Sequence, residues 1–111
     1  MAAAIVYAAE MGVEVLNLSF GDVYESPLMR ESIAYAVSQG VVVVTSGGNV
    51  GGDRPHYPSD YPDVVSVAWL DATGAGIAGR GSYGVAIDLG APGSSVYTTL
   101  FPAPAAGSNT P

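Results

Sequence analysis

One run of residues, Val41-Val-Val-Val-Thr-Ser-Gly-Gly-Asn-Val-Gly-Gly52, constrains the fold more than any other part of this sequence. Four consecutive valines are too apolar for a strand with one face in water, so they predict a buried strand of a parallel sheet. The glycines that follow predict a loop at the carboxyl end of that strand, where α/β proteins place their functional sites. The run therefore predicts an α/β domain with a candidate site around Asn49.

The segments before this run predict two helices and another strand. Residues 2–11 are strong helix formers that end at Gly12, and residues 13–20 begin with the apolar and polar alternation of a strand. Ser26 as N-cap and Pro27 in the first turn then predict a second helix. That helix places three apolar residues on one face and ends at a glycine: Met29, Ile33, Val37 and Gly40.

The segments after the run predict further strands of the sheet and then an irregular segment. Residues 64–70 are predicted to form a strand, and 87–89 and 96–99 are the best candidates for shorter extended pieces. Residues 101–111 contain too much proline and glycine for regular structure. The sequence thus predicts one domain over residues 1–100 and an irregular segment over 101–111.

The composition excludes several classes of function. Ten acidic residues against three arginines give a formal charge of -7, which argues against nucleic-acid binding. No apolar run approaches the roughly 18 residues of a membrane span, so no membrane partner is expected. The chain has no cysteine, which excludes disulfides and thiolate metal sites.

The glycine loop itself has two readings that its context separates. A phosphate-binding loop requires a helix directly after its glycines, but Asp53-Arg-Pro-His-Tyr-Pro58 contains two prolines that prevent one. Two interpretations of Asn49 then remain. Its amide can donate a hydrogen bond to an oxygen that gains negative charge during acyl transfer, or the residue can simply accept a positive φ in a turn.

Five segments, in order along the chain, resemble the subtilisin-like serine proteases (peptidase S8). Each of them is weak evidence alone, but five in the order of that family are specific. They are Val15–Gly21, Val41–Gly51, Tyr57–Val67, Gly81–Gly84 and Asp88–Gly93. The resemblance implies a subtilisin-like three-layer sandwich, present here in incomplete form, and serine endopeptidase activity.

The resemblance also implies roles for particular residues. Asn49 matches the oxyanion-hole asparagine. Two segments match walls of the substrate cleft, Ser19-Phe20-Gly21 and Ser46-Gly47-Gly48. Tyr57-Pro58 matches a step that is often cis in the family. No cofactor is implied as required, although a structural calcium near Ser59, Tyr61 and Val64 is compatible with the family pattern.

His56 stands where the family usually has glycine or another small residue, at the floor of the pocket for the P1 side chain. An imidazole there would restrict the pocket to small P1 residues. With a pKa near 6.5 it would also favour acidic P1 residues as the pH falls. The alternative is that the short loop turns His56 out to solvent.

None of the three catalytic triad motifs of the family is found in these 111 residues. The aspartate and histidine motifs are expected before residue 1 and the serine motif after Pro111. A local triad around His56 is not expected, because no serine has the strained strand-to-helix setting of a nucleophile.

The leading interpretation is a segment of a secreted endopeptidase whose partners are peptide or protein substrates and the remainder of the same domain. The segment alone is expected to be inactive. The alternatives are a non-catalytic module of the same fold that binds peptides or acts structurally and, less favoured, a nucleotide-binding domain.

Overall fold

The computed structural model of the chain describes residues 1–74, 77 and 79–99, which form two helices and a four-stranded sheet. The elements in chain order are α1 (Ala2–Glu10), β1 (Val15–Leu18), α2 (Pro27–Ser38), β2 (Val42–Ser46), β3 (Val64–Leu70) and β4 (Leu89–Pro92). The strands lie in the order β1-β2-β3-β4, and all neighbouring pairs are parallel. The predicted α/β class with a parallel sheet is confirmed.

Both helices have the termini that the sequence predicts. Helix α2 begins with Pro27, and the Ser26 side chain caps it by accepting a hydrogen bond from the Met29 N–H at 3.4 Å. Gly12 and Gly40 follow the two helices with φ of 76° and 84°, a conformation that glycine adopts without steric cost. Local residue chemistry is therefore sufficient to set the helix boundaries.

The hydrophobic core lies between the two helices and one face of the sheet. Helix α2 contributes Ile33, which is 1% exposed, and Met29 and Val37 flank it in half-buried positions, as the predicted helix face requires. The fully buried members of this core come from both helices, three strands and the connecting segments: Ile5, Ala9, Leu18, Ile33, Ala36, Val41, Val43, Tyr61 and Val64. Among the described residues, no helix is long and apolar enough to cross a membrane.

The valine run is buried on one face only, which corrects the expectation of a strand buried on both. Val43 is 1% exposed, whereas its neighbour Val42 is 50% exposed, and Val15 of β1 is 61% exposed. The reason is that both helices pack on the same side of the sheet. Residues 1–74, 77 and 79–99 thus form two layers of the three-layer sandwich, the incomplete form that the sequence predicts.

Three predicted strands differ in extent from those observed. β1 is shorter than 13–20 because the Val13 N–H still donates to Ala8 O at the end of α1. The strand predicted at 87–89 lies later, at Leu89–Pro92, while 96–99 forms no strand. The edge position of β4 accommodates Pro92, which lacks an N–H to donate. The predicted irregular segment 101–111 lies outside the described residues.

Candidate functional site

Two polar segments meet where the central strands end. The register pairs Leu18 with Thr45, so the chain that leaves β1 runs beside the chain that leaves β2. The first segment is Ser19–Gly21 and the second is Ser46–Gly48. Both therefore lie at the carboxyl edge of the sheet, where parallel strands bring distant residues together.

A third segment closes this edge from the side. Asp22 and Tyr57 form an antiparallel bridge, with the Asp22 N–H donating to Tyr57 O at 2.9 Å and the Tyr57 N–H donating to Asp22 O at 2.8 Å. The following Tyr57–Pro58 peptide bond is cis, as predicted. The bridge fixes His56 directly beside the residues that follow β1.

The three segments enclose a cavity of about 420 Å³, called the cleft below. Its lining residues are Ser19, Phe20, Gly21, Asp22, Val23, Ser46, Gly48, Asn49, Val50 and His56. The cleft therefore contains seven of the eight site residues that the sequence indicates. Gly47 is the other one: its N–H donates to Val67 O at 2.9 Å, and it lines an adjacent cavity instead.

Asn49 lies at the border between the cleft and the adjacent cavity of about 350 Å³ and lines both. It is exposed, and its side-chain amide has no hydrogen-bond partner within residues 1–74, 77 and 79–99. The positive φ angles of the loop belong to Gly48, Gly51 and Gly52 and not to Asn49. A turn that needs asparagine for its φ is therefore excluded, and the amide is available to a ligand in the cleft.

His56 forms the inner end of the cleft. Its side chain is buried, the residue being 7% exposed, which rules out the alternative that it turns out to solvent. The ring lies between the two walls: a Cβ added at Gly21 would collide with Cε1 and Nε2, and one added at Gly48 would lie 2.6 Å from Cδ2. The imidazole thus fits into this space only because both neighbours are glycine.

The hydrogen bonds around His56 define its neutral tautomer. Nδ1 lies 2.9 Å from Ser59 Oγ, and the Ser59 hydroxyl donates its single proton to His56 O at 2.7 Å. Because that proton is used, Nδ1 must carry its own hydrogen and donate it to Ser59 Oγ. Nε2 is then the unprotonated nitrogen, and it lies between Gly21 and Gly48.

Serine, histidine and aspartate meet at this point, but they do not form a catalytic triad. Ser59 is 3% exposed and its hydroxyl proton points to a carbonyl, so it is neither accessible nor activated. Asp60 Oδ2 accepts from the His56 backbone N–H at 3.1 Å, and Asp60 Oδ1 lies 3.5 Å from Ser59 Oγ, and neither contact involves the imidazole. The cluster holds the loop and the ring in place.

Burial lowers the pKa of His56 below its ordinary value of 6.5, and the carboxylates of Asp60 and Asp22 act in the opposite direction. The ring is therefore neutral at neutral pH. His56 therefore gains positive charge only below pH 6.5. The expected improvement of cleavage after acidic P1 residues is confined to the same pH range.

This lowered pKa predicts a loss of stability on mild acidification. Just below pH 6.5 the unfolded chain binds a proton at His56, whereas the folded chain does not. The free energy of unfolding therefore falls as the pH falls from 6.5 towards the folded-state pKa. We expect urea unfolding at pH 7.5 and 5.5 to show a larger decrease for the unmodified protein than for His56→Gln. Carboxylates titrate in both proteins and cancel in the comparison. Equal decreases would contradict the prediction.

Two parts of the site were not identified from the sequence. Asp22, which places a carboxylate in the wall of the cleft, and the apolar pair Val23 and Val50 all line the cavity. Asp22 directly follows the Ser19–Gly21 segment, and this adjacency was the signal available. The two valines lie in loops, and the local sequence does not predict that these loops bring them to the cavity.

The residues suggested for a cation site lie in the turn that leads into β3. Ser59, Tyr61 and Val64 are all buried, and the Tyr61 hydroxyl donates to Ser26 O at 2.8 Å and accepts from the Ser26 N–H at 3.0 Å. This pair of bonds ties the turn to the N-terminus of α2. Within the described residues there is no group of three or more His, Cys, Asp or Glu side chains that could hold a metal ion.

Comparison with known proteins identifies similar chains over nearly the whole length. The model of the peptidase S8 or subtilase family matches residues 1–110. Fervidolysin of Fervidobacterium pennivorans is 40% identical over 103 residues, which cover 90% of this chain and 15% of fervidolysin. Thermitase of Thermoactinomyces vulgaris is 36% identical over 95 residues, covering 86% of this chain and 34% of thermitase.

A solved structure described as the S41 psychrophilic protease has the same arrangement of elements. It superposes with a TM-score of 0.80 at 29% identity, covering 88% of this chain and 39% of that one. The chain thus spans 39% or less of the length of each of these three proteins. The similarity includes the strands and loops that form the cleft.

Proposed function

Because the chain belongs to the subtilase family of serine proteases, we propose that it is a segment of a catalytic domain that hydrolyses peptide bonds. In this proposal the remainder of the same domain supplies the serine, histidine and aspartate of the triad. The segment supplies two walls of the substrate cleft and one hydrogen-bond donor, and it is inactive alone. The fraction of each relative that the chain spans supports this division.

Asn49 is the residue that we propose acts on the reacting atoms. During acyl transfer the carbonyl oxygen of the scissile bond becomes an oxyanion, and a preorganised amide N–H stabilises that charge more strongly than the neutral ground state. The exposed Asn49 amide, held at the end of β2 with no internal partner among the described residues, suits this task. This unpaired amide at the mouth of the cleft is the single observation that carries the proposal.

The cleft beside Asn49 is then the place for the side chain on the acyl side of the scissile bond, the P1 residue. Ser19, Phe20 and Gly21 form one wall, and Ser46 and Gly48 form the other. The substrate is therefore an extended peptide or protein segment. The family resemblance also makes secretion the expected location.

A structural calcium ion is a further part of this proposal. The carbonyl oxygens of Ser59 and Tyr61 accept no backbone hydrogen bond among the described residues, and such oxygens suit a hard cation. Calcium would be held by backbone oxygens of the turn at 59–64. It would stabilise that turn and would take no part in the chemistry.

The experiment that tests the proposed function uses the full-length protein that contains this segment. We expect it to hydrolyse peptide p-nitroanilides, and we expect a serine-directed sulfonyl fluoride to abolish this activity with one covalent adduct in the mass spectrum. A folded full-length protein that hydrolyses none of a panel of peptides would contradict the proposal. It would instead favour a non-catalytic module that binds peptides.

A further inference from the structure

A separate cavity of about 190 Å³ lies between the loop that follows β2 and the loop that precedes β4. Three residues with side-chain oxygens line it, Asp53, Asp60 and Ser82, and it is called the acidic cavity below. We propose that the acidic cavity is a calcium site in which these three side chains are ligands. The site goes beyond the proposed function and is distinct from the ion held by backbone oxygens of the turn at 59–64.

The two loops that form the acidic cavity are held against each other. Gly52 and Ser82 form a parallel bridge, and the Tyr83 N–H donates to Gly52 O at 3.2 Å. The Asp53 carboxylate lies directly against the backbone of Gly84, because a Cβ added at Gly84 would collide with Asp53 Oδ1. The carboxylate of one loop is therefore fixed beside the other loop, as a ligand that joins the two requires.

The negative charge of Asp53 and Asp60 is not neutralised by the residues that the structure describes. Among these residues Asp53 has no hydrogen bond and no ion pair, and Asp60 contacts only the His56 N–H at 3.1 Å and Ser59 Oγ at 3.5 Å. Arg54 also lines the cavity, but it is exposed and pairs with neither carboxylate. Like charges in one small cavity repel each other, and a bound cation removes this repulsion.

Ser82 gives an independent indication of a ligand. The residue is 2% exposed, and its hydroxyl oxygen is buried without a hydrogen-bond partner in residues 1–74, 77 and 79–99. Such a hydroxyl is costly, and nearly all buried polar groups in folded proteins have a partner. A cation in the cavity that Ser82 lines provides this partner, because the oxygen can donate a lone pair to it.

The available donors suit calcium better than other metal ions. The carbonyl oxygens of Pro55, Tyr83 and Val85, which also line the cavity, accept no hydrogen bond within the described part of the chain. Calcium binds roughly six to eight oxygen ligands in flexible geometry, whereas magnesium requires a near-ideal octahedron. Neither histidine nor cysteine lines the cavity in the part of the chain described, which argues against zinc.

The test measures calcium binding to the full-length protein by equilibrium dialysis, after treatment with the sulfonyl fluoride to prevent self-digestion. We expect Asp53→Asn to lose one bound calcium ion, or to bind it with a Kd raised by about tenfold or more, because a charged ligand is removed. Glu31→Gln is the matched control, since it removes the same charge from an exposed position on α2. It should bind calcium as the unmodified protein does.

Ser82→Ala provides a second and different measurement. In excess chelator its Tm should equal or exceed that of the unmodified protein, because an unpartnered buried hydroxyl is removed. In excess calcium the order should reverse, because the variant lacks one ligand.

Three results would overturn the inference: calcium binding that is unchanged in Asp53→Asn, an equal loss in Glu31→Gln, or a Ser82→Ala protein that is the more stable one at every calcium concentration. None of these measurements depends on peptide hydrolysis. The proposed function is therefore tested separately.

Discussion

Replacing Asn49 by alanine is expected to lower kcat of the full-length enzyme by about 10²–10³-fold while KM changes little. The reason is that the amide contributes only when the carbonyl oxygen carries negative charge, so its loss affects the transition state and hardly affects bound substrate. The magnitude is the one typical of oxyanion-hole donors in subtilisins. Steady-state kinetics on one peptide p-nitroanilide measure both constants.

Asn17→Ala is the matched control for this variant. It also removes an asparagine amide next to the site, but the Asn17 Nδ2 already donates to Ser19 Oγ at 2.9 Å, and Asn17 does not line the cleft. We expect this variant to retain most of its kcat. An Asn49→Ala enzyme with normal kcat, or one that loses no more activity than Asn17→Ala, would remove Asn49 from the mechanism.

The largest expected effect on stability is that of Ile33→Ala. Ile33 is 1% exposed at the centre of the core, and removing most of its side chain leaves a cavity, which typically costs about 2–5 kcal/mol in the free energy of unfolding. Leu28→Ala is the control on the same helix, because Leu28 is 66% exposed and a change there should stay within about 0.5 kcal/mol. Urea unfolding of both variants and of the parent measures the two differences.

A variant with a smaller change separates core packing from failure to fold. Ile33→Val should cost about 0.5–1.5 kcal/mol and so remain measurable if Ile33→Ala is unfolded. Equal effects of Ile33→Ala and Leu28→Ala would mean that helix α2 does not hold the sheet in the way the structure indicates.

The helices and central strands could be predicted because their signals are local. Ser26 and Pro27 define the start of α2 through their own hydrogen bond and ring geometry, and β3 was predicted with its observed bounds. The Val96–Thr99 segment shows the opposite case. Its residues favour an extended backbone, but a strand also needs a neighbour, and β4 is followed by no further pairing in the part of the chain described.

The residues that form the site could be predicted from the sequence, but their geometry could be predicted less well. The order of motifs indicated which loops meet, and seven of the eight residues do line one cleft. The orientation of His56 was undecided from sequence, because it depends on the bridge between Asp22 and Tyr57, 35 residues apart, and on the bond to Ser59. Such contacts arise from the three-dimensional path of the chain, and no residue pattern specifies them.

The packing of the His56 ring against two glycines limits the order in which this protein can evolve. While histidine occupies position 56, a side chain at Gly21 or Gly48 would collide with the ring, so neither change can be accepted first. Once position 56 becomes small, a Cβ added at Gly21 would still lie 2.7 Å from Tyr57 O, and Gly48 keeps a φ of 93° that other residues rarely adopt. Both wall positions therefore stay glycine whichever residue occupies position 56, and a lineage that widens its pocket must begin at the histidine.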